Sequence, residues 1–131
     1  MGLPELERSS ETVYRGDREG RLVDCYRCGR EDVRKKFAPD VLVDDPRNTV
    51  EYSLLPRREL SNSAPGASFQ WGYSGHGPYL LAVSLVADAY DDDEVALEYQ
   101  TPVEQLLKDF DQHEPWELEA VDLDDWIRTF E

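Results

Sequence analysis

The segment from Tyr79 to Tyr90, reading YLLAVSLVADAY, constrains this chain more than any other. It is apolar nearly all round, and a helix with so little polar face belongs in the centre of a domain rather than on its surface. Pro78, directly after Gly77, suits the first turn of that helix, where a missing N–H costs nothing. The segment is too short to span a bilayer, and no run of about 18 apolar residues occurs elsewhere. The start of the chain, MGLPELERSSET, has no basic region followed by an apolar stretch, so no secretory signal is expected.

Helical signals continue to the C-terminal side. Asp91-Asp92-Asp93 offers a cap for a short helix through Tyr99. Thr101-Pro102-Val103-Glu104 has the form of a capping box, and Val103, Leu106, Leu107 and Phe110 follow at helical spacing. A last helix is expected to open at Asp122, with Leu123, Trp126, Ile127 and Phe130 as its buried stripe. Strand signals lie earlier. Thr12–Arg15, Arg21–Asp24 and Thr49–Leu54 are β-rich and separated by turn chemistry. Strands first and helices second predict an α+β fold, about three antiparallel strands packed with three to four C-terminal helices. With 131 residues there is room for a single domain, 12–131, preceded by a flexible acidic lead at 1–11. Residues 25–48 lack a steady period and contain Pro39 and Pro46, so they read as irregular, mostly loop.

Charge is distributed unevenly. Residues 1–66 carry 12 basic and 13 acidic groups, whereas residues 67–131 carry 2 and 16. Such a balance repels nucleic acid and anionic membrane over most of the surface. The exception is the arm from Arg15 to Lys36, which holds eight of the basic residues. Lysine occurs only at positions 35, 36 and 108, and Ile127 is the sole isoleucine. That composition is similar to that of proteins from salt-loving archaea, where dense carboxylates keep a protein hydrated. It implies a cytoplasmic location in high salt; mimicry of a phosphate backbone is the alternative reading of the same acids.

Cys25-Tyr26-Arg27-Cys28 is half of a zinc knuckle. Zinc needs about four ligands, so Cys25 and Cys28 would have to recruit a histidine, carboxylates or a second chain. Surface thiols without metal are the simpler reading. A second constellation, Phe69-Gln70-Trp71-Gly72-Tyr73-Ser74-Gly75-His76-Gly77-Pro78, runs into the central helix. Its glycines permit close backbone approach, but the spacing matches neither a phosphate loop nor a dinucleotide fingerprint. Trp71, Tyr73, Gly75, His76 and Gly77, with Arg15 and Arg18 from the basic arm, form the candidate binding surface; packing of Trp71 and Tyr73 into the core is the alternative. Ser74 and His76 are too close in sequence to face each other, and there is no strained nucleophile turn, so no catalytic residues are assigned.

The motifs Tyr14-Arg15-Gly16, Leu60-Ser61-Asn62 with Pro65, Phe69-x-Trp71-Gly72-Tyr73-x-Gly75-x-Gly77-Pro78 and Trp116-Glu117-Leu118, with Trp126 beyond, resemble a family of small uncharacterised proteins from bacterial, archaeal, phage and plasmid genomes. The likeness covers about residues 12–24 and 50–130, which implies that the irregular Cys-x-x-Cys stretch at about 25–48 is an insertion. Ser63 stands where that family often has His, Gln70 where it has Glu, and His76 where it has Ser. The resemblance implies a fold boundary and a mobile-element setting, with no activity attached. The combined expectation is a non-enzymatic binding or accessory protein, monomeric or weakly dimeric, acting on an unidentified protein partner. A zinc-assisted nucleic-acid or regulatory module built on residues 15–36, and an acidic inhibitor, are the rival classes.

Overall fold

A computed structural model describes residues 3–25, 34–47, 51–63 and 67–131. Strands β1 (Val13–Cys25), β2 (Arg34–Asp44) and β3 (Tyr52–Ser53) are followed by helices α1 (Arg58–Ser61), α2 (His76–Tyr90) and α3 (Asp93–Lys108), then by strand β4 (Trp116–Glu119) and helix α4 (Ala120–Arg128). The sheet is antiparallel in the order β3-β2-β1-β4. The fold is α+β, as the sequence predicts, with one more strand than expected.

The central position of α2 follows from its composition. Leu80 to Val86 are all buried, and so are Ala89 and Tyr90. Inward-facing Tyr14, Val41 and Val43 of the sheet join the same core, with Leu54 just beyond β3. Burying several such side chains is worth about 1.5–3 kcal/mol each, which is what holds a chain of this size together.

Three elements differ from the sequence reading for a physical reason that the structure shows. The irregular stretch expected at 25–48 contains β2. Val41 and Val43 alternate inward, and Pro39 sits opposite a bulge between Asp17 and Arg21, where the ladder is interrupted and a missing N–H is tolerated. Within that stretch, residues 26–33 and 48 lie outside the described ones. The boundary expected at Thr101-Pro102 is absent: α3 runs straight through it. A mid-helix proline costs about 3 kcal/mol, but Val95, Ala96, Tyr99, Val103 and Leu107 form one continuous stripe buried across the junction. The cap expected from Asp91-Asp92-Asp93 is present at Asp92, its side chain accepting from the amides of Glu94 and Val95. Helix α4 opens at Ala120, two residues before Asp122, because β4 feeds directly into it and the Ala120 amide donates to the Thr12 carbonyl at 2.8 Å. Phe130, expected in its buried stripe, is 44% exposed.

The acidic lead, expected to be flexible, is tied down over residues 3–12. Leu3 is buried, and its amide donates to the Glu131 carboxylate. The amides of Glu7 and Arg8 both donate to the Ala89 carbonyl at the end of α2. The Arg8 guanidinium grips Asp88 with two hydrogen bonds of 3.1 and 2.9 Å. A short acidic terminus suggested mobility, yet Leu3, Leu6 and Arg8 each find a partner.

Candidate functional site

The motif segments that are far apart in sequence meet in the fold. Tyr14, Arg15 and Gly16 pair across the sheet with Leu118, Glu117 and Trp116. The Trp116 ring lies so close over Gly16 that a Cβ there would overlap the indole nitrogen, which explains the glycine. Trp116 also stacks edge-on against Trp71 at 5.7 Å and lies against Phe110 at 5.2 Å. Edge-on aromatic pairs add about 0.5–1.5 kcal/mol beyond their burial.

Trp71 is therefore a core residue, fully buried, with its indole N–H donating to the Glu114 carbonyl at 3.0 Å. Arg18 lies above it, with the guanidinium carbon 4.9 Å from the ring centre, and donates to the Gln70 side chain at 2.6 Å. A cation over the face of a tryptophan is attracted by the ring's quadrupole. The basic arm and the glycine-rich loop thus meet at Arg18 and Trp71. Arg15 points to the other face of the sheet. It is surrounded there by Asp44, Glu51 and Glu117 at 3.0–3.4 Å, and these carboxylates hold its guanidinium even more firmly protonated than usual, the Glu117 hydrogen bond first among the causes.

Past Trp71 the loop turns outward. Gly72 adopts φ +85°, its amide donating to the Leu107 carbonyl at 2.9 Å. Tyr73 is 37% exposed, and His76 opens α2 on the surface. A cleft of about 300 Å³ lies here, lined by Ser61, Gly75, His76, Tyr79 and Glu104. Ser61 belongs to the Leu60-Ser61-Asn62 motif, where Asn62 takes the left-handed conformation that ends α1. Arg58 clamps α1 onto the Ala67 carbonyl with bonds of 3.1 and 2.8 Å. The cleft is thus walled by both motif segments, with Glu104 supplied by α3.

Its polar side chains include those of Ser61, His76 and Glu104. The Ser61 hydroxyl is already engaged with Ser63 at 2.5 Å. Among the described residues, no hydrogen bond joins Ser61, His76 and Glu104 to one another, so they form no nucleophile–base pair in this geometry. No group of three or more His, Cys, Asp or Glu among the described residues is arranged to hold a metal ion. Cys25 ends β1, and Cys28 lies outside the described residues.

Sequence reasoning missed Ser61, Tyr79 and Glu104 as cleft residues, and it missed a polar cluster around Asp88. The side-chain hydroxyls of Tyr14 and Tyr52 donate to Asp88 at 2.7 and 3.1 Å, opposite the Arg8 fork. Burial, reinforced by the Asp88 charge, pushes the Tyr14 phenol well above its ordinary value and Tyr52 up to about 12. A signal was available: Asp88 is the lone charge in the apolar α2, and a charge in such a place must be partnered.

A small α+β domain, with an aromatic cluster behind its glycine-rich loop and a cleft beside it, is the class these features define. The chain belongs to a family of unknown function, DUF6166, whose model matches residues 14–129. No curated protein and no solved structure matches it.

The loop glycines make unequal demands, which substitution will reveal. A Cβ on Gly72 would lie 2.6 Å from the Gln112 backbone, at a positive φ. One on Gly77 would lie 2.6 Å from the Cβ and Cγ of Gln70. One on Gly75 would meet only the partly exposed Tyr73 ring, at 3.2 Å. Chemical denaturation should therefore show Gly72→Ala and Gly77→Val losing about 1–3 kcal/mol, and Gly75→Ala less than about 1 kcal/mol. Equal losses at all three positions would contradict this packing.

Proposed function

We propose that the chain is a small non-enzymatic binding protein, whose contact surface is the Tyr73–His76 segment, the adjoining cleft and Arg18. The observation that carries this reading is the convergence of two separated motif segments, 60–62 and 69–78, on one surface cleft that contains no coupled catalytic pair. Trp71 and Gly77 support that surface from beneath, Gly77 by leaving room for Gln70, which in turn holds Arg18. Among the described residues no helix is long and apolar enough to cross a membrane, which agrees with a partner met in solution in a salt-rich cytoplasm. The mobile-element setting belongs to the same proposal.

A photo-crosslinking residue placed at Tyr73 tests the surface directly, with the same residue at exposed Leu97 on α3 as control. Irradiation in host extract should trap one discrete adduct from position 73 that position 97 does not give. Equal labelling from both positions, or adducts from position 97 alone, would refute the surface.

The high-salt reading has its own test. With 16 acids against 2 bases in residues 67–131, repulsion among carboxylates should be relieved by molar KCl, raising the melting temperature by about 5 °C or more over dilute buffer. Equal melting temperatures would remove the support that composition gives to this habitat.

A further inference from the structure

The sheet extends well past its own neighbours. Among the described residues, strand β4 pairs with β1 over Val13–Gly16, and β3 pairs with β2 at Leu42 and Val43. Beyond the bulge, Arg21–Cys25 pair with Arg34–Ala38, and among the described residues no third strand joins them. These ten residues contain Arg21, Arg34, Lys35 and Lys36 against the single acid Asp24, a net of +3. The whole chain carries −15, so everything outside the ribbon carries −18. A two-stranded ribbon is marginally stable by itself and leaves both its edges unpaired.

We infer that this ribbon is a polyanion-binding arm whose partner is duplex DNA. Width is the first argument: the major groove, about 12 Å across, admits a two-stranded β-ribbon. Charge density is the second. A duplex presents one phosphate per about 1.7 Å, whereas the acidic half of a second copy spreads 16 acids over residues 67–131 and brings a strongly anionic body with it. Reach is the third. Five paired positions span about 17 Å, roughly twice the Debye length of about 8 Å at 0.15 M salt, so repulsion by the acidic body is largely screened along the arm. This arm is separate from the cleft beside Tyr73, and either could function without the other.

Fluorescence anisotropy of the full chain with a labelled 20-base-pair duplex, titrated from 50 to 300 mM KCl, tests the proposal. Saturable binding is expected, with a slope of log K against log salt between about −2 and −4. The double variant Lys35→Gln/Lys36→Gln should bind at least about tenfold more weakly at 50 mM KCl, with the slope reduced in magnitude by about 2. Lys35→Arg/Lys36→Arg should bind like the parent, and thermal melts of both variants establish that they are folded. Absence of saturable duplex binding at 50 mM KCl would overturn the proposal, as would an unchanged slope in the folded glutamine variant. Poly-glutamate competing as well as unlabelled duplex would also overturn it, transferring the arm to an acidic protein.

Discussion

Asp88 is a carboxylate placed where carboxylates do not belong, the lone charge in a helix built mostly of apolar side chains. Its side chain is only 11% exposed. Leaving such a charge unpartnered would cost several kcal/mol, so the surrounding structure is arranged to satisfy it. Arg8 arrives from the N-terminal lead, Tyr14 from β1 and Tyr52 from β3. Arg8 also lies over the Tyr52 ring at 5.5 Å and approaches Asp45, which Arg47 holds from the other side at 3.0 Å. One side chain of α2 thereby gathers the lead and two strands. An apolar residue at position 88 could bury equally well, but it would specify neither where the lead crosses nor which tyrosines turn inward.

The candidate site depends on that anchored helix. With α2 fixed, His76 and Tyr79 at its start are fixed too, and the loop before them must close back over the core. Trp71 supplies the closure. It is held from below by Trp116 and from the chain behind by the Glu114 carbonyl, and it is covered by Arg18. The arrangement gives a rigid base to a turn whose outward residues, Tyr73 to His76, are free for contact. Rigid aromatic support beneath an exposed loop limits the entropy lost when that loop engages a partner.

Much of this was legible from residue order. The apolar α2, the Asp92 cap, the first strand and the α+β class follow from periodicity and capping chemistry, which are local. What was not legible is non-local. Pro39 and Pro102 both signal a break, yet each sits where tertiary structure tolerates it, one opposite a bulge and the other inside a buried stripe. Strand β4 is four residues long and exists because Tyr14-Arg15-Gly16 offers it a partner 100 residues earlier in the chain. Arg15 and Arg18 look alike in sequence, but the pleat sends them to opposite faces, one into a ring of carboxylates and the other onto Trp71. Ser61 lies within a motif and Glu104 in none, yet neither position signals a cleft in sequence; only the packing of α1 and α3 beside the loop brings them together.

The central claim is that Asp88 organises the lead and the sheet around α2. Asp88→Asn keeps the shape and removes the charge, and amide hydrogen exchange with chemical denaturation reads both consequences. Four donor groups on three side chains lose a charged acceptor, so stability should fall by about 2–4 kcal/mol. The amides of Glu7 and Arg8, which donate to Ala89 beside it, should lose protection well before those in the middle of α2. A loss below about 0.5 kcal/mol, with Glu7 and Arg8 as protected as in the parent, would show that the apolar core alone sets this arrangement.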